Sequence, residues 1–349
     1  MKLNYMKIKN YAAFLLVLVL GFTGCKKSDN LDAVTVPERD RTEQQIADKD
    51  SLLGYLSTHY YNASTFETPG NYKTSDLIIT ELPKDESGNY LDLPDPDNNT
   101  LLIDDVEIMT TTYLDVDYEY YILRLNQGGG EKPEFTDNIN VNYSGSLMDG
   151  TVFDSTVNST VLDLVNLLQG WRSVMVEFST SDGNYIINPD GTVEFNDYGF
   201  GAMFLPSGLA YYSSAPSGIP VYSNLVFKFE LYQSAHNDHD QDGIFSHLED
   251  LNNNQNVYDD DTDNDNIPNF LDANDDNDSL TTKSELVFNT YTVDTNQGEQ
   301  EPEYSANEIE ISRSETNGVI TIKTIVFIDT NSDGVADYLD KDTVIDHSI

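Results

Sequence analysis

The chain has 349 residues, with 18 Lys or Arg against 61 Asp or Glu and a formal net charge of −43. No basic stripe exists to release counterions from phosphates, which excludes nucleic acid and polybasic docking on anionic lipid, and the surplus of carboxylates favours cations, Ca²⁺ foremost. Hydrophobic residues at 38%, with 22 Tyr and 15 Phe, suffice for at least one core, and the single Cys rules out an intramolecular disulfide framework and any Cys₂–Cys₂ zinc site.

Residues 1–10 carry Lys2, Lys7 and Lys9 and no acid. Residues 11–20 are an apolar run, too short to span a bilayer, where about 20 residues are needed. That order reads as a secretory signal over residues 1–24. Gly21-Phe22-Thr23-Gly24-Cys25 resembles a bacterial lipobox, with Phe22 where Leu or Val is usual. The resemblance implies that Cys25 is lipidated and that residues 25–40 are a tether. It implies an outer membrane lipoprotein of a Gram-negative envelope, facing the periplasm or the surface. The plainer alternative is an ordinary signal with a stray Cys. Residues 41–111 form an N-terminal segment. Ile46, Leu52, Leu53, Leu56 and Tyr60 approximate helical spacing over residues 42–61. Leu77-Ile78-Ile79 and Leu101-Leu102-Ile103 are short strand candidates, with Pro83, Pro94 and Pro96 breaking the stretch. No function follows from this segment.

From Tyr113 the pattern becomes β-type. Residues 118–125 are a dense strand run that Gly128-Gly129-Gly130 ends, residues 139–143 alternate, and Asp149-Gly150 is a hairpin-turn pair. Residues 225–231 read as another strand, and after Ser234 the composition shifts to Asp and Asn, which marks a domain boundary. Within residues 112–234, the run Val141-Asn142-Tyr143-Ser144-Gly145-Ser146-Leu147-Met148-Asp149-Gly150-Thr151-Val152-Phe153-Asp154-Ser155 resembles the opening of FKBP-type peptidyl-prolyl isomerases. Leu167-Leu168-Gln169-Gly170-Trp171, Leu205-Pro206-Ser207-Gly208-Leu209-Ala210-Tyr211, Gly218-Ile219-Pro220 and residues 224–231 resemble the later blocks of that family, in family order.

The resemblance implies an α+β fold, a bent antiparallel sheet around a short helix. It also implies a pocket of Tyr143, Phe153, Asp154, Leu167, Leu168, Trp171, Tyr211, Ile219 and Phe227. In such a pocket Trp171 is the floor and Phe153 and Phe227 are walls. The Leu168 N–H, Asp154 and the Tyr211 hydroxyl hold substrate carbonyls. The substrate is an X-Pro segment of an unfolded or extended exported protein, and the chemistry takes no cofactor. Singly, each of these residues would equally suit a core or a turn. Three departures from the family stand out. The segment between Trp171 and Pro206 is long, with a hairpin expected about Asn188-Pro189-Asp190-Gly191. Tyr212 replaces a Gly. The aromatic ahead of the Leu167 block is missing, with Val161 or Leu162 nearest its place.

The acidic region, residues 235–349, repeats one spacing. Asp238, Asp240, Asp242 and Glu249, with Gly243 between, occupy the first, third, fifth and twelfth places of a Ca²⁺ loop. The same offsets hold Asp261, Asp263, Asp265 and Asp272; Asn274, Asp276, Asp278 and Glu285; and Asp329, Asn331, Asp333 and Asp340. Residues 240–278 also resemble thrombospondin type 3 repeats, notably residues 263–272. The expectation is a module low in regular structure that structural Ca²⁺ stabilises, against the alternative of a solvated acidic linker. His236, His239 and His247 read as ordinary histidines among carboxylates rather than as a transition-metal site. The combined reading is an isomerase lipoprotein similar to FKBP lipoproteins of gliding bacteria. The alternatives are a non-catalytic peptide-binding module on the same fold, or a calcium-dependent adhesion or spacer protein.

Overall fold

The computed structural model describes residues 38–348. The signal, the lipobox, Cys25 and most of the tether lie outside the described residues. From Arg39 onward the chain forms one compact unit.

The Asp40 carboxylate caps a helix, Arg41–Thr58, by accepting from the Glu43 N–H at 3.0 Å. Its buried stripe is Gln44, Asp48, Leu52 and Leu56, spaced by one helical turn. Half of that stripe is polar, which is why apolar spacing misplaces it. Ile46, expected inside, is 61% exposed. The helix stops short of Tyr60, because His59–Tyr61 turns extended as strand β1. β1 pairs with β2 (Ile79–Glu81) and β3 (Thr100–Leu101). The expected strand at Leu101–Ile103 gives way after Leu101 to one helical turn, Leu102–Asp105.

The central sheet is antiparallel. Its strands are β4 (Glu107–Tyr113), β5 (Val116–Asn126), β6 (Asn138–Leu147), β7 (Val152–Ser155), β8 (Thr160–Asp163), β11 (Gly199–Leu205) and β12 (Leu225–Ala235). Strands neighbour each other in the order β4-β5-β11-β12-β6-β7, and β8 also pairs with β6. One face packs on the short helix Gln169–Met175 through Trp171, Val174 and Met175. The other face is covered by Leu52, Leu56, Tyr61, Leu77 and Leu102 of the N-terminal segment. With both faces covered, every residue of β11 is buried. The expected hairpin forms as β9 (Tyr185–Ile187) and β10 (Val193–Phe195), turning at Asn188 and Gly191.

The acidic region holds a three-stranded sheet, β13 (Val287–Asp294), β15 (Val319–Val326) and β14 (Glu308–Thr316) in that spatial order. Ile244, Leu286, Ile325 and Tyr338 form its small core, so the first and last loops sit on the sheet. Val257 and Phe270 pack against Phe135 and Val165 of the central domain.

Candidate functional site

Three strands and one helix start bring the aromatic residues together. In register, Phe227 on β12 lies beside Gly145 on β6, and Gly145 beside Asp154 on β7. A Cβ at Gly145 would lie 2.6 Å from the Phe227 ring and 2.8 Å from the Phe153 ring, so only glycine lets the two rings meet over the backbone. Gly170 plays a similar part, since a Cβ there would lie 2.4 Å from Leu205 Cδ1 and push the helix off β11. The Trp171 ring stands edge-on to Phe227 at 5.3 Å and to Tyr143 at 5.4 Å, and Phe153 stands edge-on to Phe227 at 5.6 Å. Such edge contacts stabilise beyond area burial, by about 0.5–1.5 kcal/mol each.

Trp171, Phe227 and Ile219 are buried. Tyr143, Phe153, Leu167, Leu168 and Tyr211 are half-buried and pack against the same core, while Asp154 is exposed. The Tyr143 hydroxyl donates to Asp154 at 2.6 Å, which fixes the carboxylate at the rim. Burial, then that bond, raises the Tyr143 hydroxyl above its usual range, keeping it a donor. Burial and the Asp154 charge raise Tyr211 likewise. Leu162 packs against the cluster where an aromatic was missing, and Val161 points away, 65% exposed.

Tyr212, where the resemblance leads one to expect Gly, has a φ of +51°, a left-handed conformation that costs a side chain about 1–2 kcal/mol. Its ring is clamped by Tyr222 at 4.9 Å and by the Arg41 guanidinium at 4.1 Å, and its hydroxyl donates to the Arg39 carbonyl at 2.5 Å. A groove of about 750 Å³ under the β9–β10 hairpin, lined by Asn140, Asn142, Glu194, Tyr198 and Tyr232 among others, shares no lining residue with the aromatic cluster.

The acidic loops follow a common backbone. The sixth N–H donates to the first carboxylate from Gly243 to Asp238, from Asn266 to Asp261 and from Gly334 to Asp329, at 2.9–3.1 Å. The seventh N–H donates to the fifth carboxylate in the loops of Asp242, Asp265, Asp278 and Asp333. The fourth residue is left-handed in each loop: Gln241, Asn264, Asn277 and Ser332. The ninth side chain holds the second N–H, through Ser246, Asn269, Thr282 and Asp337. Sequence reasoning missed that ninth position, whose signal is a short polar residue in every loop. It also missed a further segment of the same shape. Asn253 and Gln255 are left-handed, and Asp250 accepts from the N–H of Asn254 and of Gln255. There Asn252 and Asn254 stand where the loops that begin at Asp238, Asp261 and Asn274 carry Asp.

In Asp240, Asp242, Asp261, Asp263, Asp276 and Asp278 one oxygen is held by a backbone N–H and the other is left without a partner, while Glu249 and Glu285 have neither oxygen held. Buried unpartnered oxygens belong to Asp240, Asp242 and Glu249; to Asp261 and Asp263; and to Asn274, Asp276, Asp278 and Glu285. Carboxylates close within 4.8 Å in the groups Asp238-Asp240-Asp242, Asp261-Asp263-Asp265 and Asp276-Asp278-Glu285. This donor set of hard oxygens fits Ca²⁺. Asp272 stands outside its group, and its carboxylate accepts from the Asn274 N–H at 3.0 Å. The last loop closes on itself, with the Asn331 amide donating to Asp333 at 3.0 Å and Asp340 at 2.9 Å. Burial, then neighbouring carboxylates, pushes Glu249 up to about 11 and Asp275 to about 9.

The histidines are not equivalent surface groups. His236 Nδ1 bonds Asp137 at 3.0 Å, His239 bonds Ser246 and Asp163, and His247 Nδ1 is buried without a partner. Burial, then His236, pushes His247 down to about 4.

About a third of the chain is similar to FKBP-type peptidyl-prolyl isomerases at about 30% identity. The FKBP-type peptidyl-prolyl cis-trans isomerase FkpA of Aeromonas hydrophila is 34% identical over 107 residues, 30% of this chain and 34% of that one. The FKBP-type 22 kDa peptidyl-prolyl cis-trans isomerase of Escherichia coli is 32% identical over 113 residues, 31% of this chain and 47% of that one. The chain thus spans between a third and a half of these relatives. The crystal structure of FkpA from Escherichia coli superposes with a TM-score of 0.29 at 25% identity, covering 37% of this chain and 51% of that one. Residues 239–318 match a family model described as BamM C-terminal.

Proposed function

We propose that residues 112–234 act as a peptidyl-prolyl cis-trans isomerase on X-Pro segments of unfolded or extended exported proteins. The observation that carries this reading is the Tyr143–Asp154 hydrogen bond beside the edge-packed rings of Trp171, Phe153 and Phe227, in a segment similar to FKBP-type isomerases. Rotation about X-Pro faces a barrier of about 18–20 kcal/mol. A site accelerates it by binding the twisted amide better than the planar one, tenfold for each ~1.4 kcal/mol of difference. The twisted amide has lost resonance and polarity, so the Trp171, Phe153 and Phe227 surface favours it. Asp154, held by Tyr143, and the Tyr211 hydroxyl orient the chain on either side of the bond. No proton moves, so Asp154 positions rather than acts as a base.

In the same reading, Ca²⁺ is structural, held by the loops that begin at Asp238, Asp261, Asn274 and Asp329, where it supplies charge neutralisation and cross-linking. Lipidation at Cys25 anchors the protein to the outer membrane of a Gram-negative envelope. A second reading, a peptide-binding module without turnover, is favoured by Tyr212, whose clamped left-handed backbone alters the turn after Tyr211.

A protease-free isomerisation assay on residues 26–349 with Ca²⁺ separates the two. The isomerase reading expects acceleration that falls at least tenfold in Phe153→Ala and Asp154→Ala. A folded protein that binds proline peptides without accelerating them would leave the binding module.

A further inference from the structure

Asp275 is the second residue of the loop that begins at Asn274, a place held by His239, Thr262 and Thr330 in the other loops. Nothing in the loop spacing calls for a carboxylate there. We propose that Asp275 is a Ca²⁺ ligand delivered from this loop to the one at residues 238–249, so that a bound ion staples the two loops together. The inference rests on the calcium reading above and extends it.

Asp275, Asp242 and Glu249 each place a carboxylate oxygen within 4.8 Å of the others. Two oxygens on one Ca²⁺ at about 2.4 Å are separated by at most that span. The three side chains are only 1–2% exposed. Both oxygens of Glu249, both of Asp275 and Oδ2 of Asp242 lack any hydrogen-bond partner. The Thr282 hydroxyl accepts from the Asp275 N–H at 3.2 Å, and its own O–H lies near enough to ease the Asp275 charge in part. The bond from the N–H fixes the backbone. The nearby cation, Lys283, has its ammonium on the Gln241 carbonyl at 3.3 Å. Burying a carboxylate with no partner is unfavourable, and a shared cation removes that cost. Asp242 also belongs to the Asp238-Asp240 group, so its carboxylate joins Asp275 to the first loop's own ligands.

The test is Ca²⁺ titration of residues 26–349 by calorimetry, with thermal unfolding in chelator and in excess Ca²⁺, for the parent, Asp275→Asn and Asp275→Ser. The expected result is one binding step weakened tenfold or more, the others unchanged. The melting shift should also reverse sign: in chelator the variants melt at or above the parent, because a repelling charge is gone, and in Ca²⁺ they melt below it. If the parent binds Ca²⁺ and both variants bind it equally and melt higher in both conditions, Asp275 is a buried acid and not a ligand. If the parent binds no Ca²⁺, the calcium reading itself falls and this inference with it.

Discussion

Where the N-terminal helix meets the central domain, the buried Asp48 carboxylate accepts from the Ser207 N–H at 2.9 Å, the Ser207 hydroxyl at 2.6 Å and the Gln44 amide at 2.7 Å. In the acidic region the equally buried carboxylates of Glu249 and Asp275 accept none. Both regions bury polar groups, but among the described residues the buried carboxylate oxygens without a partner all lie between Asp240 and Glu285. The difference follows from composition. Residues 238–285 contain fifteen acids and one Lys, so the segment cannot neutralise itself whatever its backbone does. Under the proposed calcium reading the acidic region needs a cation from outside, and the aromatic domain does not.

The largest way to break that contrast is a core truncation. Phe229 is fully buried and packs edge-on to Phe178 at 4.8 Å. Phe229→Ala should cost about 3–5 kcal/mol, equally in chelator and in Ca²⁺, as read by denaturant unfolding.

Next comes Asp48→Ala, which takes the acceptor from the Ser207 hydroxyl and the Gln44 amide, leaves the Ser207 N–H to Asn224 alone, and loosens the N-terminal helix from the turn that leads to Tyr211. A loss of about 2–3 kcal/mol is expected, again independent of Ca²⁺.

The pH dependence sharpens the contrast by its sign. Without cation, Glu249 and Asp275 sit at about 11 and about 9 when folded. Unfolded carboxyls titrate near 4. The folded form therefore holds protons that the unfolded form releases above pH 4, and stability falls as pH rises. Each such carboxyl contributes at most about 1.4 kcal/mol per pH unit. Between pH 5 and 8 the acidic region should melt lower with rising pH in chelator. In excess Ca²⁺ the trend should reverse, because ligands must lose protons to bind.

The smallest effect is expected from Arg313→Ala. Its pairs with Glu301 and Glu310, at 2.7 and 2.8 Å, lie on an exposed surface where solvent screens them, so the same unfolding should show little or no change in midpoint.

Sequence pattern was enough where one residue type answers one geometric need. The strands around Tyr121, Val141 and Phe229 read from alternation and β-type runs, and Gly145 and Gly170 stand where rings or side chains leave no room for a Cβ. The acidic loops read from their odd-numbered carboxylates. Pattern failed where a buried position is polar. Gln44 and Asp48 hide the helix stripe, and Ile46, apolar, faces solvent. Asp275 looks like one more solvated acid until the fold carries it to another loop. Asp250 escapes because Asn replaces its expected partners. Tyr212 was visible as a departure, but only the backbone shows that its ring and hydroxyl are clamped.

The most direct test of the contrast is hydrogen exchange, read by mass spectrometry on residues 26–349 in Ca²⁺ and in chelator. Chelation should strip protection from residues 238–285 and from β13, β14 and β15, while β5, β11 and β12 keep theirs. Unchanged protection in the acidic region, or an equal loss in both regions, would contradict the account.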